Sequence, residues 1–86
     1  DKVPVSSTKG YTGHTLAACG SMEAVFCLMM MRHGFIAPTL NLEEVDPACR
    51  GIAHVMKKLE RTPKLIMSNN FAFGGVNAVL IIKKTP

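Results

Sequence analysis

From Gly10 to Met31 the only formally charged side chain is Glu23, set among Ala, Cys, Met, Val and Phe. No other feature limits the possible folds so sharply. A run this apolar has to be covered by other elements, and a carboxylate inside it must be solvated, paired or protonated, because burying it alone costs on the order of several kcal/mol. A membrane span does not fit: Leu16 to Met31 is shorter than the roughly 20 residues a bilayer core requires and has Glu23 near its centre. Glu23 therefore predicts a partner.

Around that run the chain divides into readable pieces. Val3 and Val5 flank Pro4, which predicts a short strand or extended entry over 2–7. Residues 8–15 hold two glycines and several hydroxyl side chains and read as a loop with helix-start chemistry. Leu16, Cys19, Met22, Phe26, Met29 and Met30 recur at spacings of three and four, predicting a nearly all-apolar helix over 16–33 that ends at Gly34 with His33 in its last turn. Residues 35–46 read as extended and then turning, and 52–56 fit a strand or a helical turn equally. The segments 65–73 and 76–83 predict two strands, the second apolar enough for a buried position. The "FGGV" between them predicts an antiparallel pair whose turn uses glycine at positive φ.

Eighty-six residues allow one small domain. At 48% hydrophobic the chain has more apolar side chains than so small a domain usually hides. It is therefore expected to be cut from something longer. Cys19, Cys27 and Cys49 make an odd number with no CxxC or Cys/His spacing, which fits a reducing compartment and neither a disulfide framework nor a zinc site. The first residues lack a basic flank before an apolar run, so no targeting signal is expected. The net charge of +4 comes from scattered lysines and arginines without interleaved aromatics. That pattern suits solubility and no nucleic-acid partner.

Three constellations can carry chemistry. Lys9 lies just ahead of the long helix and Glu23 within it, so a segment folding back would pair their charges. Such a pair either pins loop to helix or supplies the fixed positive charge a site needs. His14, in "TGHT", precedes the helix, where partial positive charge disfavours imidazolium and leaves a neutral ring able to donate an N–H to a developing oxyanion. Its alternative is a capping or packing role. In "NNFAFGGVNA", Gly74 and Gly75 flanked by Phe71, Phe73 and Asn77 let backbone N–H groups approach a ligand, as oxyanion holes do. Taken alone, that segment is better explained by an ordinary hairpin turn with aromatic packing.

Taken in order, "STKGYTGHTLAACGSMEA", "HGFIAPTLNLEEVDP" and "SNNFAFGGVNAVLIIKK" resemble the C-terminal part of the β-ketoacyl-[acyl-carrier-protein] synthases, condensing enzymes of the thiolase fold. The resemblance covers nearly the whole chain. It implies an α/β fold, with residues 1–86 as part of the C-terminal thiolase-like ketosynthase domain: a loop, a long buried helix and a terminal β-hairpin. It implies fatty-acid elongation, in which an acyl thioester is joined to malonyl-acyl carrier protein with loss of carbon dioxide. "HGFIAP" is closest to the type I bacterial elongation enzymes.

The resemblance also assigns roles. His14 corresponds to the histidine that donates to the thioester oxygen during decarboxylation, Lys9 to the active-site lysine and Glu23 to its glutamate partner. The Phe73 backbone N–H corresponds to an oxyanion-hole donor and Phe71 to the aromatic gate of the acyl pocket, with Gly74 and Gly75 beside the substrate. Acyl carrier protein is the implied partner, with a homodimer in the cytoplasm and no metal or organic cofactor. The family's nucleophilic cysteine and another histidine belong upstream, so this segment alone is expected to be inactive. Cys19 and Cys27 read as small core residues. Gly10 and Tyr11 replace a small residue and methionine, Ala72 stands where glycine is common, and Val76 replaces threonine. Two other readings share many of these features: a polyketide or aryl-polyene ketosynthase or its chain-length partner, and an autonomous small α/β binding module with a lysine-rich face.

Overall fold

The computed structural model describes residues 2–85. The elements are a two-residue strand β1 (Pro4–Val5), a short helix α1 (Lys9–Thr12), a long helix α2 (Cys19–His33), a two-residue strand β2 (Ala53–His54), and strands β3 (Leu65–Phe71) and β4 (Asn77–Lys83). Single 3-10 turns occupy Leu16–Ala18 and Pro47–Cys49. The second is capped by Asp46, whose carboxylate accepts from the Ala48 N–H at 2.8 Å.

The long apolar run solves its burial problem with one ridge. Cys19, Glu23, Cys27 and Met31 are spaced four apart, so they stack along one side of α2, and the three sulfur residues are buried. Glu23 thus sits inside a sulfur-lined stripe. The helix stops at Gly34, which takes φ +74 and donates its N–H to the Met30 carbonyl. Arg32 places positive charge at the negative end of the helix dipole, with His33 beside it in the last turn.

β3 and β4 form an antiparallel pair from Leu65↔Lys83 to Phe71↔Asn77. Along β3, Ile66, Ser68 and Asn70 alternate inward, and α2 packs against this strand. The opposite face carries Leu65, Met67 and Phe71 with Val79 and Ile81 across from them, all exposed. β1 and β2 pair in parallel, and the Val55 N–H extends the contact to the Val5 carbonyl at 3.0 Å. Val55 is buried there, and its own carbonyl accepts from the Thr39 N–H at 2.8 Å.

Several boundaries differ from those the sequence predicts. The entry strand shrinks to Pro4–Val5, because Ser6 and Ser7 instead tie to the 37–39 segment: Ser6 Oγ donates to the Ala37 carbonyl and the Ser7 N–H donates to Thr39 Oγ1. Part of the 8–15 loop is helical, since Lys9–Thr12 close one turn. The long helix starts at Cys19 and not at Leu16, which takes φ +53 and so cannot continue an α-helix. The strands end at Phe71 and begin at Asn77, leaving a loop over 72–76 where a tight turn was expected. Gly74 and Gly75 do supply positive φ, +84 and +82. The buried position expected for β4 is not met among the described residues, because nothing here covers Val79, Leu80 or Ile81.

Candidate active site

The site begins with the way α1 is held. Ser6 and Ser7 fasten the entry segment to residues 37–39, and the Lys9 N–H donates to Ser7 Oγ at 3.3 Å. Gly10 permits the closest approach: a Cβ built there would lie 2.8 Å from Leu40 Cβ and 3.0 Å from its carbonyl oxygen. With α1 pressed onto the 37–40 segment, the Lys9 side chain extends towards α2.

Lys9 Nζ lies 2.6 Å from Glu23 Oε2. The predicted partner of Glu23 is therefore in place across two elements. Cys19, one turn earlier on α2, brings its Sγ within 3.3 Å of the same oxygen. Burial pushes the Glu23 carboxyl up, but the hydrogen bonds from Lys9 and Cys19, helped by the charge of Lys9, hold it below the ordinary glutamate value. The Lys9 ammonium is raised by its bond to Glu23 against an opposing effect of burial. The pair is less enclosed than a carboxylate in so apolar a run suggests: the Glu23 side chain is 16% exposed and Lys9 is 38% exposed. Lys9 reaches Glu23 from the solvent side. Its ammonium is thus not the fully buried charge whose isolation would cost several kcal/mol.

His14 is held by its backbone surroundings. Its Nδ1 accepts the Leu16 N–H at 3.0 Å, so the neutral ring carries its proton on Nε2. The Leu16 N–H is aimed by the turn at Thr15, φ -85 and ψ 14, and Leu16 itself takes a left-handed φ of +53, at a cost of about 1–2 kcal/mol for a residue with a side chain. The helix dipole expected to act on His14 is displaced, since a 3-10 turn separates the ring from the first residue of α2. The specific hydrogen bond, not the dipole, selects the tautomer.

Lys9 and Glu23 line a cavity of about 680 Å³ that runs from the β1 segment to β3, and His14 is not part of its wall. Phe71 closes β3, and Phe73 stands at the tip of the 72–76 loop, 94% exposed. The loop is closed by the Ala72 N–H donating to the Val76 carbonyl at 2.7 Å, and among the described residues no group accepts from the Phe73 N–H. Space around Gly74 and Gly75 is open. Lys9 and Glu23 are thus brought together, His14 lies outside the cavity they line, and Phe71, Phe73, Gly74 and Gly75 lie at the loop end of the hairpin. The loop end of the hairpin is docked on the first turn of α2: a Cβ on Gly20 would lie 3.4 Å from the Asn70 side-chain oxygen.

Sequence reasoning missed Cys19 as a donor and the Gly20–Asn70 contact. The spacing of four between Cys19 and Glu23 was a readable signal for the first. Nothing local signals the second, which joins residues fifty positions apart.

Residues 1–43 match the family model described as the C-terminal domain of beta-ketoacyl synthase. The chain is 47% identical over 85 residues to 3-oxoacyl-[acyl-carrier-protein] synthase 1 of Escherichia coli (strain K12), covering 98% of this chain and 21% of that protein. The Haemophilus influenzae protein of the same name is 46% identical over 86 residues, with 98% of this chain and 21% of that protein covered. The crystal structure of a beta-ketoacyl synthase from Burkholderia phymatum STM815 superimposes with a TM-score of 0.91 at 47% identity, over 98% of this chain and 21% of that one. The chain thus spans about a fifth of the length of these relatives. Sequence and three-dimensional match agree on the thiolase-like α/β architecture, and the chain belongs to the β-ketoacyl synthases, within their C-terminal half.

Proposed function

We propose that this chain forms part of a condensing enzyme that joins an acyl thioester to malonyl-acyl carrier protein with decarboxylation, as in fatty-acid elongation. The observation that carries the reading is the hydrogen bond from the Leu16 N–H to His14 Nδ1: with Nδ1 occupied as an acceptor, the ring's proton is assigned to Nε2, a neutral donor. When the malonyl carboxylate leaves as carbon dioxide, the electron pair of the broken C–C bond moves into the thioester and places negative charge on its oxygen. A neutral, preorganised N–H stabilises that enolate without first giving up its proton. The Lys9 ammonium, held by Glu23, adds fixed positive charge nearby, and the unspent Phe73 N–H serves as an oxyanion-hole donor. Phe71 gates the acyl pocket, with Gly74 and Gly75 giving substrate room to approach.

The relatives compared are named 3-oxoacyl-[acyl-carrier-protein] synthases, which favours elongation over polyketide or aryl-polyene synthesis. Acyl carrier protein is the proposed partner of the complete synthase, which we place in the cytoplasm as a homodimer. Among the described residues no helix is long and apolar enough to cross a membrane. The exposed apolar face of β3 and β4 counts against an autonomous module.

The test separates the two half-reactions. In the complete synthase, His14→Ala is expected to accept a labelled acyl group from carrier protein as before. Release of labelled carbon dioxide from malonyl-carrier protein should slow by about 10² or more, the range for losing one such donor. Unchanged decarboxylation would return His14 to a packing role.

A further inference from the structure

The ridge of α2 has a donor that the reaction just described does not use. The Cys19 thiol is 6% exposed, and its Sγ lies 3.3 Å from Glu23 Oε2, the oxygen that Lys9 Nζ reaches at 2.6 Å. One carboxylate oxygen thus takes two donors, from α1 and from α2 itself.

These donors differ in what they can specify. An ammonium on a four-carbon stem is a point charge with three rotatable protons, so it attracts a carboxylate without selecting its rotamer. Glu23 has a broad terminal torsion and two equivalent oxygens, so Lys9 alone leaves several arrangements open. Cys19 has one side-chain torsion and stands four residues before Glu23 on the same helix, so its S–H is fixed relative to the Glu23 backbone. A thiol is a weak donor, but its bond to an ionised carboxylate is charge-assisted.

We infer that Cys19 is a positioning residue for the Lys9–Glu23 pair: its thiol locks the carboxylate rotamer that turns Oε2 to Lys9, and so places the ammonium. The inference rests on the reading of this pair as part of a ketosynthase site. The charged and titratable groups around Glu23 are Lys9 from α1, His14 from the following segment, and Cys19 and Cys27 from α2; Arg61 and Lys64 line the same cavity from the segment before β3, and β3 presents the neutral Ser68 and Asn70. Of these, Lys9 and Cys19 hydrogen-bond to the carboxylate. Burial raises the Cys27 thiol, which keeps it protonated and silent at neutral pH. Loss of the Cys19 donor therefore raises the proton affinity of Glu23 and leaves Lys9 as its one side-chain hydrogen-bond donor among the described residues.

The test uses Cys19→Ala and Cys19→Ser in the complete synthase, with Glu23→Gln to identify the Glu23 carboxyl signal by difference in ¹³C-glutamate NMR. In Cys19→Ala the Glu23 titration should move to higher pH, the acid limb of carbon dioxide release should move the same way, and the rate at neutral pH should fall about fivefold, as for one modest hydrogen bond. Cys19→Ser retains a hydroxyl donor and should restore all three. A titration unmoved in Cys19→Ala, or moved equally in Cys19→Ser, would overturn the inference and leave Cys19 as packing. A titration that moves and is rescued by serine while decarboxylation stays unchanged would uphold the positioning role and overturn the catalytic reading of the pair.

Discussion

A single hydrogen bond can decide a side chain's chemistry, and His14 and Glu23 show it in two ways. His14 has its proton assigned to Nε2 by one backbone N–H, and Glu23 stays ionised in an apolar helix because two donors converge on one oxygen. The Lys9–Glu23 pair makes stability depend on pH at both ends. Glu23, lowered, contributes stability above the ordinary carboxylate value of 4.5, and the contribution is lost as pH falls through its folded value. Lys9, raised, contributes below the ordinary lysine value of 10.5 and loses that contribution as pH rises through its folded value. Glu23→Gln in the complete synthase should therefore be less stable than the parent at neutral pH. The difference should be about 1 kcal/mol or less, since Lys9 is more than a third exposed and water screens the pair. Thermal melts of both proteins from acid to alkali should show the gap narrowing at each extreme. A constant gap would mean that Gln disturbs packing and not charge.

At the scale of elements, the site depends on contacts that place α1 against the 37–40 segment and the hairpin against α2. Gly10 is the narrowest of these, with Leu40 so close that a methyl group has no room. Gly10→Ala should push α1 away from the 37–40 segment and cost about 1–3 kcal/mol, as overpacking does. Because Lys9 is the preceding residue, the Lys9–Glu23 distance should lengthen with it. A melting curve and a crystal structure of that variant would test both statements, and an unchanged ion pair with unchanged stability would show that Leu40 yields easily. Gly20 and Asn70 make a looser contact of the same kind, through a side-chain amide that can turn.

Over the whole molecule, the described residues leave one sheet face uncovered. Leu65, Met67, Phe71, Val79 and Ile81 are each more than half exposed on the side of the hairpin away from α2. A contiguous apolar face of this kind is characteristic of an interface, not of a free surface. The 86 residues expressed by themselves should bind a hydrophobic dye strongly and self-associate in size-exclusion chromatography. A dye-silent monomer with cooperative melting would show instead that these residues form a self-sufficient domain.

Local spacing made much of this legible. The periodicity of 16–33 and the glycine at 34 marked the long helix, the paired glycines at 74 and 75 marked a hairpin at positive φ, and the isolation of Glu23 in an apolar run demanded a partner. These follow from rules that act over one or two turns or across one loop. Tertiary structure decided the rest. Leu16 leaves the helix through a positive φ, Lys9 finds Glu23 because serines and Gly10 fasten α1 to the 37–40 segment, and β4 is exposed because α2 packs against β3. Each of these outcomes depends on which surfaces meet. Contacts between residues distant in sequence settle that, and they leave no period or motif in the chain itself.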